Sequence, residues 1–172
     1  ESPDGALYAI VAMTVWGWLG FDVIMEARDV PGWGTGELVF ADGLLAWHEL
    51  PVARGGARGE HPLAERIRGY FRGRRDEFGD VKLDLDWCTP FQRAALDAIR
   101  SIPYGETASY GEVAALAGHP NAQRAAGSFC AANRFALIVP CHRVVAAGGL
   151  GSYGSLGVAY KRRLLELEGA VL

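Results

Sequence analysis

Cys141 and His142 stand side by side in the run Pro140-Cys141-His142-Arg143-Val144. A thiol is a good nucleophile only as the thiolate, and a neighbouring base is the usual way to make one. Imidazole titrates nearest to neutral pH, so the pair has the composition of a nucleophile and its base. A cysteine alone is more often a small buried hydrophobe, and a histidine alone is as often structural. The adjacency is what points to chemistry. The apolar run 135–139 reads as a buried strand, and Pro140, which cannot donate to a ladder, should end it and present Cys141 there. On an extended chain neighbouring side chains point to opposite sides. Thiol and imidazole are therefore expected to communicate through a bridging water.

The elements that must position this pair read as α+β. Asp42-Gly43, between apolar runs 36–41 and 44–50, is a strong hairpin signal. Apolar runs 4–10 and 18–23, around a turn near 14–17, suggest a second hairpin. The N-terminal part should thus hold a small antiparallel sheet, four-stranded if both hairpins join. Residues 51–60 read as a Gly- and Arg-rich loop. Residues 61–78 have the spacing of an amphipathic helix with Leu63, Ile67, Tyr70 and Phe71 on one face. Residues 81–87 alternate like a strand or extended linker. Beyond them the chain should be mostly helical. Thr89-Pro90-Phe91-Gln92 and Ser109-Tyr110-Gly111-Glu112 are capping boxes opening helices to about Ser101 and Ala117. Gly118-His119-Pro120 breaks the second helix, and Asn121 is expected to cap a third, to about Ala132. Helix, tight turn, helix is the helix-turn-helix pattern. A last helix should run from Val158 to about Leu167. The expected division is a supporting α/β domain over 1–86 and a helical domain over 87–172 that holds the helix-turn-helix and the cysteine.

The three cysteines, Cys88, Cys130 and Cys141, are odd in number and widely spaced. That argues against a disulfide framework and for a reducing, cytoplasmic compartment. No CxxC pair exists, and the four histidines show no ligand spacing, so a structural zinc is not expected. Displacement by a thiolate requires no metal or soluble cofactor either. Residues 6–21 carry no charge. The run is too short for a span of about 20 residues and lacks a basic flank, so it reads as buried strands and not as an anchor or export signal. The net charge of −3 divides unevenly: −6 over residues 1–90 and +3 from Phe91 onward. The basic excess lies with the motif and fits a moderate, salt-sensitive affinity for DNA.

The pentapeptide resembles the active-site motif of the O6-alkylguanine-DNA alkyltransferases. The resemblance runs from about Pro90 to Gly169 through ordered landmarks: Ile102-Pro103-Tyr104-Gly105-Glu106-Thr107, Ser109-Tyr110-Gly111-Glu112-Val113-Ala114, Arg124-Ala125-Ala126-Gly127, Asn133, the pentapeptide, and residues 161–169. Residues 1–80 match by pattern only. The resemblance implies that Cys141 is the permanent alkyl acceptor and His142 its base through water, with Glu168 the acid that holds the histidine. It makes Tyr110 the donor to the leaving guanine, and Arg124 the finger that fills the gap left by a flipped nucleotide. Asn133 ties the turn to the active-site segment. The 148–155 loop walls the alkyl pocket with Tyr153 as its aromatic, backbone N–H groups near Ser155 reach the guanine oxygen, and Gln123 accompanies Arg124 on the DNA-facing helix. The implied partner is duplex DNA carrying O6-alkylguanine, bound by a monomer, with O4-alkylthymine an open second substrate.

The third helix is built of small residues (Ala122, Ala125, Ala126, Gly127, Ser128, Ala131 and Ala132), which suits close helix packing equally well. The resemblance favours a minor groove only about 6 Å wide. Two other classes compete. A plain DNA-binding regulator would need no cysteine–histidine pair and should carry more base-reading side chains than Gln123 and Arg124. A cysteine hydrolase would turn over, whereas an alkyltransferase stops after one event per molecule.

Overall fold

The computed structural model describes residues 23–30, 32–52 and 61–171. The first expected hairpin and the uncharged run 6–21 lie outside these residues, apart from Val23.

The second expected hairpin is present. β2 (Gly34–Ala41) and β3 (Leu44–Val52) pair antiparallel. Both turn residues between them, Asp42 (φ 51°) and Gly43 (φ 74°), are left-handed, the backbone that a two-residue hairpin of primed type requires. β1 (Val23–Val30) lies antiparallel on the far side of β2, giving the order β1-β2-β3. Most of β1 was not expected as a strand, because Glu26, Arg28 and Asp29 give it a polar sequence with no alternating signal. Leu38, Phe40, Leu45 and Leu50 of β2 and β3 enter the core.

Helix α1 (Pro62–Phe71) is capped by the His61 side chain, which accepts from Leu63 N–H at 3.1 Å, and has Pro62 in its first turn. Leu63, Ile67, Tyr70 and Phe71 are all buried, as the spacing predicts. It ends seven residues before the expected Phe78. Gly73 turns left-handed there (φ 87°), and Arg66 holds the returning chain by Asp76 at 2.8 Å and Asp80 at 2.7 Å. Residues 81–85 run without helix, with Leu83 bridged in parallel to Leu45 of β3, and the expected extended stretch stops short of 87 because Asp86 and Trp87 form a turn closed by Cys88 N–H to the Leu85 carbonyl at 2.9 Å.

Both capping boxes form. Thr89 and Gln92 open α2 (Pro90–Arg100), and Ser109 and Glu112 open α3 (Tyr110–Leu116). Gly118 (φ 80°) ends the second of these. Helix α4 (Gln123–Ala131) begins later than expected, and Asn121 does not cap it. Asn121 sits at φ 75°, inside the turn, and the N-cap position falls to Ala122, which makes no side-chain cap bond. Helix α5 (Gly157–Leu167) closes the chain.

The expected strand at 135–139 is a stapled loop. Asn133 accepts from Phe135 N–H at 3.0 Å and donates to the Val139 carbonyl at 2.9 Å, drawing both ends of the run together. Leu137 takes a left-handed backbone (φ 76°), and Val139 N–H returns to the Phe135 carbonyl at 2.7 Å. Cys141 therefore opens a short 3-10 turn, Cys141–Arg143, with Pro140 at its cap. Strand β5 (Val144–Val145) then pairs in parallel with β4 (Ala108–Ser109), tying the exit of the cysteine turn to the entrance of α3.

The sheet docks on the stapled loop, where His48 N–H donates to the Arg134 carbonyl at 2.8 Å and the His48 ring contacts the Ala136 carbonyl. One cluster of buried side chains runs from β2 and β3 through α1, α2, α3 and α4 to Leu164 of α5. Among the described residues, no helix is long and apolar enough to cross a membrane.

The hairpin turn offers a clean test of backbone strain, because a Cβ on Gly43 would meet nothing within 4 Å. Gly43→Val should lower stability by about 1–2 kcal/mol through conformation alone. Urea denaturation checks this, and an unchanged midpoint would contradict the turn.

Candidate active site

Cys141 is buried, and its sulfur accepts a hydrogen bond from the Asn133 side-chain amide at 3.1 Å. It lines a cavity of about 150 Å³ walled by Tyr110, Gly127 and Cys130 of α3 and α4, by Asn133, and by the 152–156 loop, with Leu50 of β3 also present. The Tyr153 hydroxyl lies near enough to ease charge on the Cys141 sulfur, yet it has no partner at hydrogen-bonding geometry.

His142 is fully buried. Its Nε2 lies 2.9 Å from Glu168 Oε1. A carboxylate accepts only, so Nε2 carries the hydrogen and Nδ1 is left as the basic nitrogen. Nδ1 is buried and has no partner among the protein atoms. In a 3-10 turn, neighbouring side chains diverge by about a third of a revolution. Thiol and imidazole are thus not opposed as on a strand, though no direct bond joins them among the hydrogen bonds described.

Glu168 sits at the C-cap of α5 and is buried. Sequence alone would place it on a solvated face. Arg143 grips it with Nε to Oε2 and Nη2 to Oε1, each at 2.9 Å, and Gly105 N–H donates at 3.2 Å. The Tyr70 hydroxyl donates to the same carboxylate and lies 3.4 Å from His142 Nε2. Arg143 is itself fixed by the Ile102 carbonyl at 2.6 Å and by Glu77 at 3.0 Å. Gly105 is obligatory here: its φ is 82°, and a Cβ would lie 2.8 Å from the Glu168 carbonyl oxygen.

Nothing in the sequence marks Tyr70, Glu77 or Gly105 as partners of this carboxylate and its arginine. Tyr70 was read as one more member of an apolar helix face. The only signal available was a phenol on that face, which needs a polar partner when buried. Lys161, fully buried, was seen only as a landmark. Its ammonium donates to the Val144 and Leu150 carbonyls at 2.5 and 2.6 Å, pinning the cysteine turn's exit to the start of the cavity loop.

Burial dominates the titration of this site. It pushes the Cys141 thiol up, against the pull of Asn133, Tyr153 and Lys161. It pushes His142 below its ordinary value, with Glu168 opposing. Burial would also raise the Glu168 carboxyl, but the bonds from His142 and Arg143 hold it down at about 2. The resting site is a neutral thiol and a neutral imidazole backed by a charged carboxylate.

Tyr110 stands half-buried at the first position of α3, beside Gly127 and with its hydroxyl next to Gly151. Gln123 and Arg124 are exposed at the first two positions of α4. The outward face of α4 continues with Ala125, Ser128, Ala131 and Ala132, while Ala126 and Phe129 pack inward. Most of the small residues therefore face outward, away from the helical core. Ser155 is exposed at the cavity loop. Among the described residues no group of three or more His, Cys, Asp or Glu is placed to hold a metal.

The fold and site are those of a cysteine-dependent transferase built on a helix-turn-helix. The family model for the DNA-binding domain of 6-O-methylguanine DNA methyltransferase matches residues 90–170. A methylated-DNA–protein-cysteine methyltransferase of Mycobacterium tuberculosis is 47% identical over 123 residues, 71% of this chain and 69% of that one. One from Methanopyrus kandleri is 44% identical over 117 residues, 67% of this chain and 86% of that one. Among solved structures, the M. tuberculosis O6-methylguanine methyltransferase superposes with a TM-score of 0.71 at 37% identity, covering 86% of this chain and 93% of its own. M. tuberculosis OGT in complex with DNA superposes at 0.72 and 38%, covering 84% and 92%. The chain belongs to the family of methylated-DNA–protein-cysteine methyltransferases, enzymes of DNA repair that take an alkyl group from DNA onto a cysteine.

The buried ion pair sets two expectations. Arg143→Met leaves Glu168 charged and uncompensated, and should cost roughly 3–5 kcal/mol of stability in urea. A carboxyl depressed in the folded state contributes stability that is full above its unfolded value, near 4.5. That contribution is lost as pH falls from there toward about 2. Denaturation midpoints across this window should fall steeply in the parent protein and more shallowly in Glu168→Gln.

Proposed function

We propose that this chain repairs O6-alkylguanine in duplex DNA by moving the alkyl group irreversibly to its own Cys141. The observation that carries the reading is the series Cys141, His142 and Glu168, with a buried basic Nδ1 and a cavity walled by the helix-turn-helix. His142 Nδ1 accepts the thiol proton through a water. The thiolate attacks the alkyl carbon in line with the C–O bond, the S–C bond forms, and the electron pair leaves with the guanine. Tyr110, poised at the mouth of α3, donates to the guanine ring as that charge develops. Asn133 holds the sulfur and stapled loop in register. Tyr153 encloses the alkyl group, and backbone N–H groups beside Ser155 donate to the guanine oxygen.

The target atom lies inside the duplex, so the nucleotide must leave the stack. Arg124 fills the gap it vacates, and Gln123 sits beside it on the DNA face. The small outward residues of α4 let the helix backbone approach a minor groove closely. We assign residues 87–172 the DNA-binding and transfer chemistry, and residues 1–86 its support. Tyr70, Glu77 and Leu50 supply that support directly at the site. The protein acts as a monomer within a reducing, cytoplasmic compartment, where the thiol stays available.

The test is the intact mass after mixing with a duplex holding one O6-methylguanine, followed by peptide mapping. One added methylene per chain on the Cys141 peptide, absent in Cys141→Ser, is the expected result. Tight lesion binding without mass gain would instead make the chain a lesion-binding relative. A duplex with O4-methylthymine, run alongside, decides the second substrate. Two further outcomes follow from the geometry. Because His142 is held below its usual 6.5 by burial, it remains a neutral base down to lower pH. The acid limb of the single-turnover rate should therefore lie below pH 6.5, and a limb at or above that value would contradict the assignment. Arg124→Ala should slow transfer from duplex by roughly 10-fold or more while leaving transfer from free O6-benzylguanine within about 2-fold, since only the duplex requires extrusion.

A further inference from the structure

The transfer reaction leaves one thiol of the cavity without a part. Cys130, the eighth residue of α4, lines the same cavity as Cys141. Asn133 ties the two together: its backbone N–H donates to the Cys130 carbonyl at 3.4 Å, and its side-chain amide donates to the Cys141 sulfur at 3.1 Å. Tyr110, on the same wall, feels both sulfurs, and so does the Lys161 ammonium. Burial pushes the Cys130 thiol up to about 12, with the neighbouring Cys141 sulfur adding to the rise. At neutral pH such a thiol is protonated and does not compete for the alkyl group. The third cysteine, Cys88, is buried away from this cavity.

A protein whose single nucleophile acts once is disabled when that sulfur is oxidised first. We propose that Cys130 is a resolving thiol, closing a reversible disulfide with Cys141 when a hydroperoxide oxidises Cys141 in the DNA-free protein. This rests on the reading of Cys141 as the nucleophile. In the first step the Cys141 thiolate attacks a peroxide oxygen. An S–O bond forms, the O–O bond breaks, and hydroxide or an alkoxide leaves, so sulfur is oxidised by two electrons to the sulfenic acid. In the second step Cys130 sulfur attacks Cys141 sulfur, the S–O bond breaks, and the departing hydroxide takes the Cys130 proton as water. An external dithiol returns both thiols. The alternative is sulfinic acid, which such thiols do not reduce.

The high affinity of Cys130 for its proton slows the second step without forbidding it. A thiol at about 12 is ionised to about one part in 10⁵ at pH 7. Well-oriented groups within one molecule reach effective concentrations of about 10⁵–10⁸ M, a range large enough to offset that fraction. Oxidation also removes the Cys141 thiolate that would otherwise oppose ionisation of Cys130, one of the two causes of the rise. A base seated in the cavity would separate the thiols, which confines the device to protein free of DNA.

The test treats the DNA-free protein with hydrogen peroxide, blocks free thiols under denaturing conditions, and maps peptides without reduction. A loss of two hydrogens and a linked peptide joining Cys130 to Cys141 are expected, with dithiothreitol restoring nearly all the methyl-acceptor capacity. In Cys130→Ser, peroxide should carry Cys141 to sulfinic and sulfonic acids, and dithiothreitol should restore less than about a tenth of that variant's own untreated capacity. Protein methylated beforehand should give no linked peptide. Absence of the link in the parent protein, or equal recovery in parent and variant, overturns the proposal. The capacity measured before peroxide keeps the two readings apart: untreated protein that takes no methyl group defeats the transferase reading, whatever the linked peptide shows.

Discussion

The carboxylate of Glu168, buried at the end of the last helix, is the constraint around which the molecule is organised. A charge taken out of water costs several kcal/mol unless it is fully met. Here it is met by Arg143, His142, Gly105 and Tyr70. Each donor drags its own segment to the same point: the 3-10 turn, the turn before β4, and α1. Arg143 in turn calls in Glu77 and the Ile102 carbonyl. The ion pair is weak evidence of net stability, because burial consumes most of the attraction. Its directional bonds favour specificity, because an arrangement that left out any of these donors would leave part of the buried carboxylate unmet.

Held this way, the carboxylate fixes the imidazole tautomer and so decides which nitrogen is free. Burial then keeps thiol and imidazole both neutral in the resting protein. A protonated thiol is a poor nucleophile, so the pair is chemically quiet at rest. The lining that makes this possible comes from a helix with little side-chain bulk. Gly127 lies beside the Tyr110 ring, and Asn133 stitches the end of α4 to the sulfur. The exposed small-residue stripe and part of the cavity wall are therefore two faces of one short element.

What could be read from sequence was local. Asp42-Gly43 announced its turn, and the two capping boxes announced their helices, because each is decided within four residues. What could not be read depended on distant partners. The apolar run 135–139 looks like a strand until Asn133 staples it into a loop. The helix expected over 61–78 stops at Phe71 because Arg66 reaches across to Asp76 and Asp80. Asn121 is a good cap by type, yet the turn needs its tolerance of a left-handed backbone more than its oxygen. At the site, the Cys141–His142 adjacency is visible directly. Glu168 was reachable only through family resemblance, since nothing near it in sequence says that it is buried. Tyr70 carried an apolar face and a hydroxyl, and only the first showed periodicity.

The relay behind the cysteine joins residues far apart along the chain. Tyr70 and Glu168 meet across 98 positions, and Arg143 reaches back 66 positions to Glu77. Contacts of such span close late, after the entropy of the intervening loop has been overcome. During synthesis Cys141 emerges well before Glu168, so the nascent chain holds a thiol and an imidazole with nothing to orient them. The carboxylate reaches the imidazole only when α5 docks, so the order of sulfur, ring and acid is a property of the finished fold and not of the local pentapeptide.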